Sequence, residues 1–241
     1  MQKTWFISDL HLDASRPQIT QKFLEFLSAL PNQAEALYIL GDLFEYWIGD
    51  DILKQSEHEF WSIIIKLQQL SDRGIKLYFI AGNRDFLLGD EFANVTQCEI
   101  INQSESVIDL YGTKTLIMHG DTLCTDDVEY LKFRKLLRSQ AWKEDFLSKS
   151  IPKRIEYALK LRNTSKQQTQ QKNETILDVN QAAVIDAMQH HQVQQLIHGH
   201  THRMATHHFS IKGQPAKRFV LGDWHDKAHF LSISSNSCTM V

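Results

Sequence analysis

Ala36-Leu37-Tyr38-Ile39-Leu40-Gly41-Asp42 is an unbroken apolar run closed by a glycine and a carboxylate. A continuous run this short reads as a strand buried on both faces, as in the interior of a parallel sheet. The construction recurs on either side. Thr4-Trp5-Phe6-Ile7-Ser8 runs into Asp9-Leu10-His11, and Lys76-Leu77-Tyr78-Phe79-Ile80 leads to Gly82-Asn83. Leu116-Ile117-Met118 ends at His119, and Gln194-Gln195-Leu196-Ile197 ends at His198-Gly199-His200-Thr201-His202. Between the first three runs lie apolar residues at helical spacing: Phe23, Leu24, Phe26 and Leu27 within Ile19 to Leu30, and Phe60, Ile63, Ile64 and Leu67 within Glu57 to Leu70. Val179 to His191 reads as a further helix. Strand and helix in alternation predict an α/β layered fold. In the tail, Arg218-Phe219-Val220-Leu221 and Phe230-Leu231-Ser232-Ile233 alternate, which predicts antiparallel strands closing a second sheet. There is no internal repeat.

The segment 126–172 breaks the rhythm. Tyr130, Phe133, Leu136 and Leu137, then Trp142, Phe146 and Leu147, then Ile155, Ala158 and Leu159 stand at helical spacing among basic residues, and 162–172 is a polar stretch that reads as a loop. The whole of 1–241 is read as one domain, with 126–172 a helical cap inserted into it. From Glu129 to Lys172 there are 12 Lys or Arg against 4 Asp or Glu, while the rest of the chain holds 14 against 25. So local a positive balance, in a chain of net charge −3, fits a surface facing an anion: phosphate, nucleic acid or an anionic membrane. The ordinary alternative is a solvated helix face.

Length and composition set wide bounds. The 241 residues suffice for one domain with a buried core, and 42% hydrophobic with 23% charged residues is ordinary for a globular protein. Cys98, Cys124 and Cys238 form no CxxC pair, which argues against a disulfide framework and fits a reducing compartment. The start, MQKTWFISDLHLD, lacks the pattern of a signal peptide. No stretch nears the roughly 18 apolar residues of a spanning helix. A cytoplasmic chain that meets membranes from the surface is expected.

What unites the strand ends is their chemistry. Each delivers a metal-ligand type at once: Asp9 and His11, Asp42, Asn83, His119, His200 and His202. In open α/β sheets, sites form beyond the C-terminal ends of strands. Singly, each piece has a plain explanation. Gly-Asp and Gly-Asn are turn dipeptides, and His119 reads equally as a core histidine. Independent turns would not put a ligand type at the end of every strand. Two metals about 3.5–4 Å apart clamp a phosphoryl group and generate a nucleophile from water at neutral pH. Metals so close need a shared negative ligand, and Asp42, alone in mid-series, suits that role. Mixed imidazole and carboxylate ligation favours Mn²⁺, Fe²⁺ or Zn²⁺ over Mg²⁺. The lack of cysteine among these positions argues against a structural zinc site.

The order Asp-x-His, Gly-Asp, Gly-Asn, His, Gly-His-x-His resembles the calcineurin-like metallophosphoesterase superfamily, over residues 9 to 202. The resemblance implies a four-layered αββα sandwich with a dinuclear site. One metal would take Asp9, His11, Asp42 and His202; the other would take Asp42, Asn83, His119 and His200. The chain departs from the superfamily at one point. Where a Gly-Asn-His motif is common, it has Gly82-Asn83-Arg84-Asp85. Arg is always charged and donates no proton at working pH, but it grips phosphate with two hydrogen bonds. Arg84 is therefore expected to bind and neutralise phosphoryl oxygens.

Longer strings, among them Gly41-Asp42-Leu43-Phe44-Glu45, Gly82-Asn83-Arg84-Asp85-Phe86-Leu87-Leu88-Gly89, Met118-His119-Gly120-Asp121-Thr122-Leu123-Cys124 and Asp178-Val179-Asn180, are similar to the branch of that superfamily acting in bacterial lipid A synthesis. That similarity implies attack by water on the α-phosphate of UDP-2,3-diacylglucosamine, giving UMP and 2,3-diacylglucosamine 1-phosphate (lipid X). It implies two Mn²⁺ per chain, catalytic roles for Arg84, Asn83 and Asp42, and substrate contacts at Asn83, Arg84, Asp127, Ser165, Thr169, Lys172 and His200. It also implies a peripheral place on the cytoplasmic face of the inner membrane, with no nucleic acid and no obligate protein partner. An amphipathic basic cap agrees with an acylated diphosphate and an anionic bilayer, each Lys or Arg adding about 1 kcal/mol at the surface. Trp47, Phe44 and Phe146 are read as either acyl-chain lining or core. A nuclease or cyclic-nucleotide phosphodiesterase is the first rival, since both use such a site; a nuclease wants an open groove. A protein phosphatase has no positive support. A non-catalytic scaffold would have lost ligands, and none is missing.

Overall fold

The computed structural model describes residues 2–55, 58–171 and 176–241, with the side chains of 165–171 outside the description. Its first sheet is built from the apolar runs: β1 (Lys3–Ile7), β2 (Ala34–Ile39), β3 (Lys76–Ile80) and β4 (Cys98–Ile101) lie side by side and parallel. The second sheet contains β5 (Glu105–Leu110), β6 (Thr113–Met118), β7 (Gln195–His198), β8 (Ala205–Ile211) and β9 (Gln214–Val220), in the order β5-β6-β7-β9-β8. The remaining strands, β10 (Leu231–Ile233) and β11 (Cys238–Met240), extend the first sheet beyond β1.

Period-two alternation assigns each strand residue to a layer. Leu37 and Ile39 face outward onto α1 (Pro17–Ala29) and α2 (Trp61–Asp72), where Phe23, Leu27, Ile63, Ile64 and Leu67 meet them. Ala36, Tyr38 and Leu40 face inward, against Ile117 and Ile197 of the other sheet. Leu116 and Met118 face outward again, onto Val184 and Met188 of α7 (Gln181–His190). The result is helix, sheet, sheet, helix: the αββα sandwich. Each fully buried Leu, Ile or Phe contributes about 1.5–3 kcal/mol by leaving water. Tyr38 stacks on Phe6 and on Tyr78, at centroid separations of 5.1 and 4.4 Å, and so ties adjacent strands in register between the layers.

Two expectations need correction. The tail does not close one sheet: β9 joins the second sheet, parallel to β7, while β10 pairs antiparallel with β1 in the first. Also, 162–171 is not a loop. After α3 (Asp90–Thr96), α4 (Val128–Leu137) and α5 (Gln140–Leu147), α6 runs unbroken from Ile151 to Gln171. Its Gln, Lys and Arg residues are good helix formers, and neither Gly nor Pro interrupts them after Pro152 in the first turn. Lys172 lies outside the described residues.

Arginines fasten this helical segment to the sandwich. Arg134 Nε donates to Asp121 Oδ2 at 2.6 Å, and Arg138 Nη2 to Gly82 O at 2.6 Å. Arg154, 2% exposed, pairs with Asp51 and donates to Ile48 O. Arg162 reaches Glu45 Oε1 at 2.9 Å and Asp13 Oδ2 at 3.2 Å.

Candidate metal centre

The ends of β1, β2, β3, β6 and β7 converge, although they belong to two sheets. Backbone hydrogen bonds join neighbouring exits: Asp9 N to Gly41 O at 3.1 Å, His11 N to Asp42 O at 2.9 Å, and Gly199 N to His119 O at 2.8 Å. Ser8 Oγ adds a bond to Leu40 O at 2.9 Å. The exits are sharply turned. Asp9, His11, Asp42, His200 and His202 adopt φ of 58, 50, 53, 69 and 58°, and make up five of nine non-glycine residues in the left-handed region among those described. The region disfavours residues with a Cβ, and such strain gathers at functional sites where the surroundings hold it.

Asp85 is the local brace. Completely buried, it accepts from Gly82 N at 3.0 Å, Asp42 N at 3.2 Å and Leu43 N at 2.7 Å, thereby locking two strand ends together. Occupied in this way, it makes no surface pair with Arg84.

The ligand-type atoms fall into two groups. In the first, His11 Nε2 lies 3.3 Å from His202 Nε2, which is 3.4 Å from Asp9 Oδ1. In the second, Asn83 Oδ1 lies 3.0 Å from both His119 Nε2 and His200 Nδ1, and those nitrogens are 3.2 Å apart. Asp42 stands between: its Oδ2 is 3.8 Å from His11 Nε2 and 3.8 Å from His119 Nε2. Its Oδ1 is fixed by Arg84 N at 2.8 Å. Asp9, His11 and His202, and likewise Asp9, Asp42 and His119, are close enough to hold an ion. All seven residues expected from the sequence meet in this one place.

The donor set fits cations. His119 Nδ1 must carry a proton, because its partner at 2.8 Å is the carbonyl of Leu40. A neutral His119 then turns the lone pair of Nε2 toward Asn83 Oδ1, and two acceptors at that distance repel unless a proton or metal lies between. The charges are similarly unbalanced. Burial pushes the Asp42 carboxyl up to about 7, with Asp85 and Asp9 adding to the effect. Burial would also raise Asp9, but His202, His119 and His11 pull it well below the usual range. Burial and His119 push His200 down to about 4. Against its own burial, His202 is raised to about 10 by Asp9 and Asp223. Divalent metals require neutral imidazoles and ionised carboxylates, so binding would displace the protons that His202 and Asp42 hold in the metal-free site.

His198, first of the three clustered histidines, is not part of the group. It is completely buried, pushed down to about 3 by burial and Arg218, and its Nδ1 donates to Gly199 O at 2.8 Å.

A cavity of about 670 Å³ opens over the centre. One end is polar, with His11, Asp42, Asn83, Arg84, His200 and His202; the other is apolar, with Phe86, Leu87, Phe133, Leu137, Trp142 and Phe146. Trp47 and Phe146 face it while remaining buried, and Phe44 lies wholly in the core. The Arg84 guanidinium reaches the polar end and, among the described residues, makes no hydrogen bond or ion pair. Asp127 also lines the cavity, and its Oδ1 caps α4 by accepting from Tyr130 N at 3.1 Å. The side chains of Ser165 and Thr169, and all of Lys172, lie outside the described residues.

Sequence reasoning missed Glu45, 3.5 Å from His11 Nδ1, and Asp223, 3.2 Å from His202 Nδ1. For Asp223 a signal existed: Val220-Leu221-Gly222-Asp223 repeats the form of Ile39-Leu40-Gly41-Asp42.

The chain belongs to the calcineurin-like phosphoesterase family, whose model matches residues 2–204. Its relatives there are narrower in kind. It is 49% identical to the UDP-2,3-diacylglucosamine hydrolase of Nitrosococcus oceani, over 92% of this chain and 87% of that one. It is 48% identical to the enzyme of that name from Pseudomonas paraeruginosa, over 96% and 95% of the two chains. With that of Escherichia coli O127:H6 it shares 45%, over 99% and 98%.

Proposed function

We propose that this chain hydrolyses UDP-2,3-diacylglucosamine, with water attacking the α-phosphate to release UMP and 2,3-diacylglucosamine 1-phosphate, in lipid A biosynthesis. The observation that carries the reading is one cavity with metal-ligand types and a free guanidinium at one end and an apolar chamber at the other. A diphosphate bearing acyl chains matches both ends, and near full-length relatives carry the corresponding name.

Two divalent cations, Mn²⁺ before Fe²⁺ or Zn²⁺, would acidify the attacking water and neutralise phosphoryl charge. Asp9, His11 and His202 would hold one, and Asn83, His119 and His200 the other. Asp42 would be the ligand they share, a role supported by its Oδ2 standing 3.8 Å from a histidine of each group. The Leu40 carbonyl keeps the His119 proton on Nδ1, which leaves Nε2 available. Arg84 grips the equatorial phosphoryl oxygens, where charge builds in the transition state. The leaving group is itself a phosphate and departs without an acid, so an arginine suffices where other family members carry histidine. Arg84→Ala is accordingly expected to keep Mn²⁺ binding and lose about 10²–10³-fold in kcat, the usual effect of removing one such donor. Wild-type turnover in that variant would refute the role.

The helical segment from α4 to α6 acts as a cap. It carries exposed Val128, Phe133, Leu136, Leu147 and Leu159 beside lysines such as Lys132 and Lys135. Among the described residues no helix is long and apolar enough to cross a membrane. Peripheral, salt-sensitive contact with the anionic cytoplasmic face of the inner membrane fits that surface. A nuclease is less well supported, because Arg134, Arg138 and Arg162, though they line the cavity, are tied to Asp121, the Gly82 carbonyl and Glu45, and Arg154 is buried against Asp51.

The test is UMP release from UDP-2,3-diacylglucosamine by metal-stripped protein, with Mn²⁺, Mg²⁺ or Zn²⁺ restored. Release that depends on added metal, greatest with Mn²⁺, is expected. Cleavage of a generic aryl phosphodiester without UMP release would discard the lipid substrate and keep the metal centre.

A further inference from the structure

Behind two of the ligand-type imidazoles stands a carboxylate. Glu45 Oε2 lies 3.5 Å from His11 Nδ1, and Asp223 Oδ2 lies 3.2 Å from His202 Nδ1. Both rings turn Nε2 toward the space they share with Asp9. Asp223 is close enough to accept from His202 Nδ1, and an acceptor there fixes tautomer and ring orientation and so readies Nε2 for a cation. Glu45 stands against His11 Nδ1 at ion-pair distance, and that nitrogen makes no hydrogen bond within the protein, so a small advance of the carboxylate would supply its acceptor.

The two carboxylates differ in what else they hold. Asp223 accepts from His225 N at 3.2 Å, two residues along its own loop, and among the described residues makes no hydrogen bond or ion pair with α4, α5 or α6. Glu45, 8% exposed, is held at both oxygens. Arg16 Nη2 donates to Oε2 at 2.9 Å and also to the carbonyl of His11 at 2.6 Å. Arg162, from the cap helix α6, meets Oε1 at 2.9 Å. An unbroken line of contacts therefore runs from α6 through Arg162 and Glu45 to the His11 ring.

We propose that Glu45 is a positioning residue that couples the seating of cap helix α6 to cation binding at Asp9, His11 and His202. The proposal rests on the metal-centre reading above. With α6 seated, Arg162 and Arg16 leave Glu45 little rotamer freedom, and its carboxylate stays against the His11 ring. With α6 displaced, Oε1 loses its partner, the Glu45 side chain gains freedom, and the carboxylate no longer holds a fixed place beside the His11 ring. Coupling of two equilibria is reciprocal: what seating does for the cation, the cation does for seating. A charged cavity roof would then settle only over a loaded centre.

The experiment uses the full chain stripped of metal, Mn²⁺ as the only ligand, and no substrate. It compares wild type with the isosteric variants Glu45→Gln and Asp223→Asn. Equilibrium binding reads Mn²⁺ affinity, and hydrogen exchange with and without saturating Mn²⁺ reads the order of α6. In wild type, Mn²⁺ is expected to slow exchange in α6. Both variants are expected to bind Mn²⁺ roughly 10–100-fold more weakly. At saturation, Asp223→Asn keeps the α6 response and Glu45→Gln loses it. Wild-type affinity in Glu45→Gln, or an α6 response equal to that of Asp223→Asn, would overturn the coupling while leaving the metal centre intact. Failure of wild type to bind Mn²⁺ would remove both. If Glu45→Gln does not fold, Arg162→Gln cuts the line from the cap side. Loss of the α6 response in that variant supports the coupling, and its retention overturns it.

Discussion

Asp42→Asn is expected to abolish turnover and to make the metal-free protein more stable. The amide keeps the Oδ1 acceptor that Arg84 N uses at 2.8 Å, so the strand end holds its shape. What it loses is the charge that both cations would share. Metal-assisted stabilisation of transition-state charge is worth several kcal/mol, and about 1.4 kcal/mol is tenfold in rate, so a fall in kcat of about a thousandfold or more follows. In the metal-free protein the sign reverses. Asp42 is buried near Asp9 and Asp85, and its carboxyl is pushed from 3.8 up to about 7. The folded chain therefore keeps a proton there that the unfolded chain gives up. Through that window, stability of metal-free wild type falls as pH rises, since the folded state binds more protons. Asn has no such penalty, and its NH₂ in place of Oδ2 donates toward the nitrogens of His11 or His119. The Tm advantage of Asp42→Asn over wild type in EDTA should be small near pH 4, open as pH rises toward 7, and be complete above it. Calorimetry at pH 5 and pH 8 measures this. A variant less stable than wild type at pH 8 would show that the carboxylate is not frustrated in the empty centre.

The same frustration explains why the ligand positions were readable from sequence. Each lies within a few residues of an apolar run that could only be a buried strand. A polar residue held there in a left-handed turn needs a functional reason to persist. The features that escaped are those decided by distant parts of the chain. Nothing in Leu231-Ser232-Ile233 specifies pairing with Thr4, Trp5 and Phe6 rather than with the neighbouring tail strand; that register is fixed only when both sheets are stacked. The helix across 162–171 is hard to see because a polar stretch resembles a loop, although Gln and Lys are good helix formers. Asp127, an expected substrate contact, is also the cap of α4, a role set by the bond it accepts from Tyr130 N. Glu45 meets His11 across 34 residues of chain, and no local pattern encodes that approach. For Asp223 only the strand-end form Leu221-Gly222-Asp223 hints at a place in the site, not at its partner His202.

Gly82→Ala tests whether this packing, and not ligand identity alone, creates the centre. A Cβ on Gly82 would stand 2.1 Å from Asp42 Oδ1 and 2.4 Å from Asp42 N. Neither atom is free to retreat: Oδ1 is held by Arg84 N, and the amide is held by Asp85. The added methyl must push strand ends β2 and β3 apart, which carries Asp42 Oδ2 away from at least one of the histidines it faces at 3.8 Å. Overpacking of this kind costs about 1–3 kcal/mol, less than many domains need to unfold. The expected product is a folded protein with weak Mn²⁺ binding and kcat lower by roughly a hundredfold, the cost of misplacing a reacting group by about 1 Å. Gly112→Ala is the matched control. Its Cβ would meet nothing within 4 Å, and with φ at +88° the substitution carries only the left-handed backbone penalty, about 1–2 kcal/mol. The two variants should lose comparable stability in urea denaturation and differ in Mn²⁺ affinity and kcat. If Gly82→Ala instead turned over like Gly112→Ala, Asp42 would have to be mobile enough to yield, and the close approach of the two strand ends would be incidental to the chemistry.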